Sequence, residues 1–371
     1  MAPEKALLLN GKKFYYDEIA DYSFRNSIPL NGYEAKTLEF CRSWLTGVQE
    51  FPIQTSGSTG EPKRIHLSRK QLEISARRTI KLLGLREYDQ TLICLNTDYI
   101  AGLMMLVRGF EAGLQMFIVE PVSNPFKLLP EGTRIDFASF VPLQLQTILE
   151  DVTYGPAVLN GMKGILVGGA PVGLSLQRKL QQLKTPVYHT YGMTETASHI
   201  ALRLLNGPKA AEYYEVLDSI QIGQDKRGCL TITGDITSNE TIVTNDLVEL
   251  LTPTRFRWIG RVDNTINSGG VKIQSEKVEV AIAEALMELP QQPRFFVAPQ
   301  PDELLGEKIV LLIEGEKLPE EVEQTLFTKL KTLLQKFEVP RELYYSPSFS
   351  ETNTGKVSKQ KTLQKLGLEP I

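Results

Sequence analysis

"TLICLNTDYIAGLMMLVRGFEAGLQMFIVE", residues 91–120, can be read as a membrane span or as two strands flanking a helix. Its most apolar part, 99–120, is interrupted by Arg108, Glu111 and Gln115, whereas a helix crossing a bilayer needs about 20 largely uncharged residues. The second reading fits better: an apolar strand over 91–96, a buried helix over about 99–113 and a strand over 114–120. Strand, crossover helix and next strand make the repeating unit of a parallel sheet.

The same alternation extends both ways. Helical spacing runs over 69–85, 141–151 and 173–183, with strands expected at 162–169 and 186–192. After about residue 215 the runs become short and β-rich, and from about 275 two helices return with two strands between them. The expected fold class is therefore α/β. A large N-terminal domain with mixed and parallel sheets and a β-rich subdomain, residues 1–262, precedes a small α+β domain, 263–371. With 371 residues the chain is long enough for two cores.

Composition excludes some functions. A formal net charge of -3 leaves no electrostatic footprint for nucleic acid. Three cysteines, Cys41, Cys94 and Cys229, are too scattered for a disulfide framework, and His66, His189 and His199 lack metal-ligand spacing. The apolar run in "MAPEKALLLNGKKF" is too short for a signal peptide. The expectation is a cytoplasmic protein with no membrane span, in which Cys94 belongs to the core.

The stretch least suited to a core is "QTSGSTGEPK", 54–63, with small hydroxyl side chains, two glycines and a terminal lysine. Convergent backbone N–H groups and hydroxyls in such a loop bind phosphate. It does not follow G-x-x-x-x-G-K-[ST] or G-x-G-x-x-G, and composition alone leaves a flexible polar loop open as well.

"TSGSTGEPK" resembles the phosphate loop of the acyl-adenylate-forming superfamily, which includes acyl-CoA synthetases, peptide-synthetase adenylation domains and luciferases. Further segments follow in that family's order. "GGAP" (168–171) looks like its adenine-contacting turn and "YGMTETAS" (191–198) is similar to its YGxTE motif. "TNDLVEL" and "WIGRVDNTINSGG", within 244–270, resemble its TGD and GRxDD…GG region, and "TNTGKVSK" (352–359) its catalytic-lysine loop.

The resemblance implies an ATP-dependent ligase using ATP, Mg²⁺ and CoA. Thr55, Ser56, Gly57, Ser58, Thr59, Gly60 and Lys63 would hold the β- and γ-phosphates. Gly168, Gly169 and Ala170 would form the adenine side, and Tyr191 and Gly192 of the YGxTE-like segment would also bind ATP. Thr194 would contact the α-phosphate and Glu195 would hold Mg²⁺, a hard cation suited to carboxylate oxygen. Asp246 would take the ribose hydroxyls, Arg261 would support the ribose or phosphate end, and Asp263 would be the hinge of a mobile small domain. Lys356 would be the catalytic lysine, although charge pattern alone would make it a surface residue. Gly269 and Gly270 would admit a pantetheine arm. No protein nucleophile is needed, so cysteines and histidines can be bystanders. Asn245 stands where the family has glycine, a position expected to need a left-handed turn, which asparagine tolerates.

"DYIAGLMMLVRGFEAG" (98–113) resembles the corresponding helix of o-succinylbenzoate–CoA ligases of menaquinone biosynthesis. Gly102, Leu103, Arg108 and Gly113 match, while Tyr99 stands where histidine is common. Arg108 would receive a second substrate carboxylate, because a guanidinium pairs bidentately with carboxylate; alternatively it lies on the wet face of the helix. The family carries a longer region before the phosphate loop than residues 1–54 provide here, so the acyl pocket is completed either within a compact chain or by a second subunit in a homodimer. The expected function is an o-succinylbenzoate–CoA ligase. The alternatives are adenylation of another aryl or acyl acid, loading of a carrier protein, and a nucleotide-binding protein without catalysis.

Overall fold

In a computed structural model, the structure describes residues 5–26, 29–54, 64–287, 292–351 and 357–369. The chain divides into two compact units, one of 1–223, 231–242 and 251–256, the other of 224–230, 243–250 and 257–371. Residues 224–230, 243–250 and 257–262 thus cluster with the C-terminal residues rather than with those before them.

The first unit opens with the hairpin β1 (Ala6–Leu9) and β2 (Lys12–Tyr15), then helices α1 (Tyr16–Asp21) and α2 (Gly32–Leu45). Strands β3 (Glu50–Gln54) and β4 (Arg64–Ser68) pair antiparallel on their own. Helix α3 (Arg69–Leu83) follows, then β5 (Gln90–Ile93), α4 (Ile100–Ala112), β6 (Gln115–Ile118), β7 (Phe137–Phe140), α5 (Pro142–Glu150), α6 (Gly155–Leu159), β8 (Gly164–Val167), α7 (Leu174–Leu180), β9 (Val187–Met193), β10 (Ser198–Leu204) and β11 (Tyr214–Val216). These strands line up as β11-β10-β9-β8-β7-β5-β6-β1-β2. Pairing is parallel from β9 through β8, β7, β5 and β6 to β1, and antiparallel for β9/β10, β10/β11 and β1/β2.

Local chemistry sets these elements. Ser68 caps α3 by accepting from the Gln71 N–H, and Gly84 ends it in the left-handed conformation. Helix α4 is buried along 102–109, which explains why its sequence is apolar nearly all round. Gly102 is required there, since a Cβ would sit 2.4 Å from the Asn96 carbonyl oxygen. The apolar stretch 99–120 is therefore split between α4 and β6, and no helix among the described residues is long and apolar enough to cross a membrane. Leu92, Cys94, Ala138, Phe140, Ile165, Val167 and Val187 from the sheet pack with Leu145, Ile148, Leu176 and Leu180 from α5 and α7. Cys94 is core, as expected.

Strands β12 (Ile220–Gln224), β13 (Cys229–Gly234), β14 (Ile242–Thr252) and β15 (Arg255–Arg261) carry the chain back and forth between the units. The second unit continues with the hairpin β16 (Thr265–Ser268) and β17 (Val271–Gln274), α8 (Ser275–Leu286), β18 (Phe295–Asp302), β19 (Gly306–Glu314), α9 (Glu320–Leu333), β20 (Glu342–Ser346) and α10 (Lys359–Lys365). Its sheet runs β17-β16-β19-β18, with β20 parallel to β19. Side chains alternate across β18 and β19. Val297, Leu311 and Ile313 pack with Val278, Ile282 and Leu330, while Phe296, Ala298, Val310 and Leu312 pack with Phe349 and Leu363. The chain is thus a mixed α/β protein with one large sheet and a smaller, separate one.

Candidate active site

In the first unit, β8 ends in the turn Gly168–Gly169–Ala170, whose last two residues are exposed. The neighbouring β9 carries Tyr191 and Gly192, then a single 3-10 turn, Thr194–Thr196, leads into β10. Gly192 has no substitute here: a Cβ would stand 2.1 Å from the Ser198 carbonyl oxygen. Tyr191 packs against Tyr214 and Phe256, with ring centroids 5.6 and 5.1 Å away. The turn presents Glu195 to solvent, and no side chain among the described residues pairs with it. Thr194 is partly buried beside it.

Beyond the turn the backbone is irregular. Ala197 and Ser198 both have positive φ, 50° and 121°, conformations unfavourable for residues with a Cβ. This kink brings Ser198 Oγ to 3.2 Å from Arg108 Nη2. Arg108, on α4, is 2% exposed, so it does not lie on a wet face. Among the described residues its Nη1 meets Met105 Sδ, at 3.7 Å, and its Nε is buried with no partner. Desolvation brings its pKa down to about 9, which leaves it protonated at neutral pH.

Two histidines set aside by the sequence reading are built into this region. His199 is 4% exposed, and its Nε2 lies 3.0 Å from Thr79 Oγ1. His189 lies 3.3 Å through Nε2 from the Ala170 carbonyl oxygen, and its Nδ1 is 2.6 Å from the Tyr214 hydroxyl. His189 thus ties the Gly168–Ala170 turn to β11. Burial, reinforced by Arg203, lowers its pKa to about 4. His199 is pushed well below the ordinary histidine range by burial and then by Arg108. Neither has a composition or spacing signal; the tertiary contacts give them their roles.

In the second unit, Asp246 on β14 is 9% exposed and accepts from Trp258 Nε1 at 3.2 Å. Arg261 Nη1 is 3.9 Å from the same carboxylate, and its Nη2 pairs with Asp263 at 2.5 Å. The left-handed turn expected at Asn245 is not there: the residue lies within β14 and is absent from the positive-φ positions. Its amide instead bridges Arg227 and Asp263. A glycine signature in one protein thus does not prove a turn in another; here the position is extended and a side chain fits. Gly269 and Gly270, with φ of 59° and 80°, form the tight turn between β16 and β17. Trp258 was not singled out by motif, and Asn245 was singled out only as a departure from one.

Thr55, Ser56, Gly57, Ser58, Thr59, Gly60, Lys63 and Lys356 lie outside the described residues. The other expected residues fall into two groups, Arg108, Gly168–Ala170 and Tyr191–Glu195 in the first unit, and Asp246, Arg261, Asp263, Gly269 and Gly270 in the second.

A family model described as AMP-binding enzyme matches residues 52–220. An acyl-CoA synthetase (AMP-forming)/AMP-acid ligase II-like protein from Dyadobacter fermentans is 45% identical, aligns 91% of this chain with 95% of its own, and superposes with a TM-score of 0.61. The o-succinylbenzoate CoA synthetase of Bacillus subtilis, in complex with its acyl-adenylate intermediate, shares the fold at 20% identity and a TM-score of 0.70, over 95% of this chain and 81% of that one. A 2-succinylbenzoate–CoA ligase of Haemophilus influenzae is 26% identical over 80% of this chain, which spans 66% of that relative's length.

The similarity to the Dyadobacter fermentans protein, over nearly all of both chains, places this α/β protein in the class of AMP-forming acid ligases. Within it, the chain belongs to the AMP-binding enzyme family.

Proposed function

We propose that the protein is an ATP-dependent acid–CoA ligase that converts o-succinylbenzoate to its adenylate and then to the CoA thioester, the activation step used in menaquinone biosynthesis. The observation that carries the choice of acid is Arg108, a buried cation hydrogen-bonded to a single serine and facing no carboxylate among the described residues. A desolvated charge costs several kcal/mol unless it is paired. The second carboxylate of a diacid supplies that pair, and a fatty acid does not. The name of the Haemophilus influenzae relative points to the same acid.

In the reaction a carboxylate oxygen attacks the α-phosphorus of ATP and the bond to pyrophosphate breaks. The CoA thiolate then attacks the acyl carbon and AMP leaves. Charge builds on phosphate oxygens in the first step, so fixed cations and donors are the natural catalysts. Residues 55–60 and Lys63 hold the β- and γ-phosphates, Thr194 contacts the α-phosphate, and Lys356 neutralises it. Glu195, exposed and unpaired among the described residues, is an oxygen donor suited to the Mg²⁺ that accompanies ATP. Gly168, Gly169, Ala170, Tyr191 and Gly192 receive adenine, while Asp246 and Arg261 receive the ribose. Gly269 and Gly270 line the pantetheine path. The functional boundary falls at 262/263, with Asp263 as hinge and 263–371 as the mobile part. The three cysteines are buried and free, in keeping with the reducing cytoplasm where we place the protein.

The test is pyrophosphate release from MgATP with o-succinylbenzoate, with and without CoA, for wild type and Arg108→Ala. Release that depends on this acid, with thioester formed on adding CoA and most turnover lost in the variant, is expected. Release with other acids only removes the choice of acid; adenylate that reacts with a carrier protein but not CoA changes the acceptor. Absence of release with every acid removes the ligase.

A further inference from the structure

The polar side chains behind Arg108 form one run of hydrogen bonds with a single sense. Arg108 Nη2 is 3.2 Å from Ser198 Oγ, which is 3.4 Å from His199 Nδ1. His199 Nε2 is 3.0 Å from Thr79 Oγ1, and Thr79 Oγ1 is 3.4 Å from the Ser75 carbonyl oxygen. The Ser75 carbonyl takes Thr79's one proton, so the ring donates to Thr79 from Nε2, and a neutral ring then accepts at Nδ1. Ser198 accepts from Arg108 and gives its own proton to His199 Nδ1. His199 Nε2–H then donates to Thr79, whose hydroxyl donates to Ser75.

Neutral histidine with its proton on Nε2 is the state that satisfies both neighbours. An imidazolium would turn Nδ1 into a donor against Ser198 and set a second positive charge beside Arg108. Thr79 is fully buried and Ser75 1% exposed, so water does not offer the run another ending. The backbone points the same way: Ser198, with a β-carbon and φ of 121°, adopts a conformation that surrounding contacts must enforce. The result is a guanidinium held at Nη2, with Nε and Nη1 left without an oxygen partner among the described residues. Nη2 keeps a second hydrogen, which together with its neighbour Nε or Nη1 makes an edge that one carboxylate can fill.

We propose that His199 is a positioning residue which, through Ser198, aims the Arg108 guanidinium at a second carboxylate of the acid substrate and so sets selectivity for diacids over monoacids. This rests on the acid-ligase reading above and adds to it a device three side chains deep. His199 touches neither the substrate nor the reacting atoms; it acts by fixing the proton order of the run.

The test compares pyrophosphate release with o-succinylbenzoate and with 4-oxo-4-phenylbutanoate, the same acid lacking its ring carboxylate, in wild type, His199→Leu and His199→Gln. A glutamine amide offers one donor and one acceptor and can stand in for the neutral ring. The expected result is a loss of about tenfold to a hundredfold in kcat/KM on the diacid for the leucine variant, the scale of one hydrogen bond to a charged group. Its monoacid rate stays within about threefold, and glutamine restores most of the diacid rate. Equal losses on both acids, or none, overturn the proposal. If the leucine variant does not fold, Ser198→Ala breaks the same run one step nearer Arg108, with the same expectation. A separate readout is the ¹⁵N NMR signature of His199 in wild type at pH 7: a protonated Nε2 with a bare, hydrogen-bonded Nδ1 is expected, and an Nδ1–H tautomer or an imidazolium overturns the run itself. No release by wild type with either acid removes the ligase reading and the selectivity role with it, while the ring signature still decides whether the run exists.

Discussion

Asn245 Nδ2 donates to both carboxylate oxygens of Asp263, at 3.1 and 3.2 Å, while its own carbonyl oxygen accepts from Arg227 Nη1 at 3.0 Å. One amide thus joins a cation to an anion, and Asp263 in turn holds Arg261, whose other nitrogen is the one near Asp246. Asn245→Gly cuts the chain of contacts at its middle. We expect the KM for ATP to rise about threefold to tenfold, the range of one lost hydrogen bond, with stability nearly unchanged because the contacts are exposed. Asn245→Asp puts a like charge against Asp263 and should act more strongly. An ATP KM equal to wild type in both variants would show that the bridge does not reach the nucleotide residues.

Arg108 separates stability from function. Its guanidinium is desolvated and without a counter-charge among the described residues, so replacement by an apolar side chain of similar length removes a penalty larger than its one bond to Ser198. Arg108→Met is expected to unfold at the same or higher urea concentration than wild type, by about 1 kcal/mol, while its kcat/KM for the diacid falls about a hundredfold. A variant clearly less stable than wild type would mean that Arg108 is a structural residue and that the bond to Ser198 is its purpose.

The α/β class was legible because apolar runs of the first unit are covered strands and helices: β8, with sequence GILV, is buried throughout, and α4 is apolar over all of 100–107. Glu195 and Asp246 were singled out only through motif likeness; nothing about a carboxylate in a short turn or within a strand marks it as special. The first 45 residues carried no assignment, since short strands such as β2, with sequence KKFY, bury one side chain in four. His199 and His189 were invisible for a different reason. Their partners Thr79 and Tyr214 lie far away in sequence, and a lone histidine acquires a role only when folding brings a donor and an acceptor to its two nitrogens.

Gly192 and Gly173 make a paired test of the β9–β10 hairpin. A Cβ on Gly192 meets backbone, the Ser198 oxygen at 2.1 Å and His199 Cα at 2.5 Å, whereas one on Gly173 meets nothing within 4 Å. Backbone cannot rotate away, so Gly192→Ala should cost about 2–4 kcal/mol in urea unfolding. It should also pull Ser198 from Arg108, lowering diacid turnover further than the stability loss alone does. Gly173→Ala, at an ordinary φ of -66°, should lie within about 0.5 kcal/mol of wild type. Similar stabilities for the two variants would mean that the hairpin is less tightly paired than these distances require.

His189 makes stability depend on pH in a window set by its own environment. Its Nδ1 accepts from Tyr214, so the neutral ring carries its proton on Nε2 and donates to Ala170. Burial, with Arg203 adding to it, brings the pKa from 6.5 down to about 4 in the folded protein. Between those values the unfolded chain binds the proton and the folded chain does not. The contribution of His189 is therefore complete above pH 6.5 and is lost as pH falls toward 4. Its size is on the order of 2–3 kcal/mol. Carboxylates titrate near the lower end as well, so the informative quantity is the difference between wild type and His189→Gln, which keeps one donor and one acceptor but does not titrate. Wild type should lose more stability than the variant between pH 7 and 4.5. Tyr214→Phe removes the donor to Nδ1, raises the folded pKa and narrows the window from below, so its excess loss should be smaller than that of wild type. Parallel pH profiles for wild type and His189→Gln would mean that His189 is protonated in the folded protein, and the Ala170 turn would then be held by an imidazolium rather than by a neutral ring.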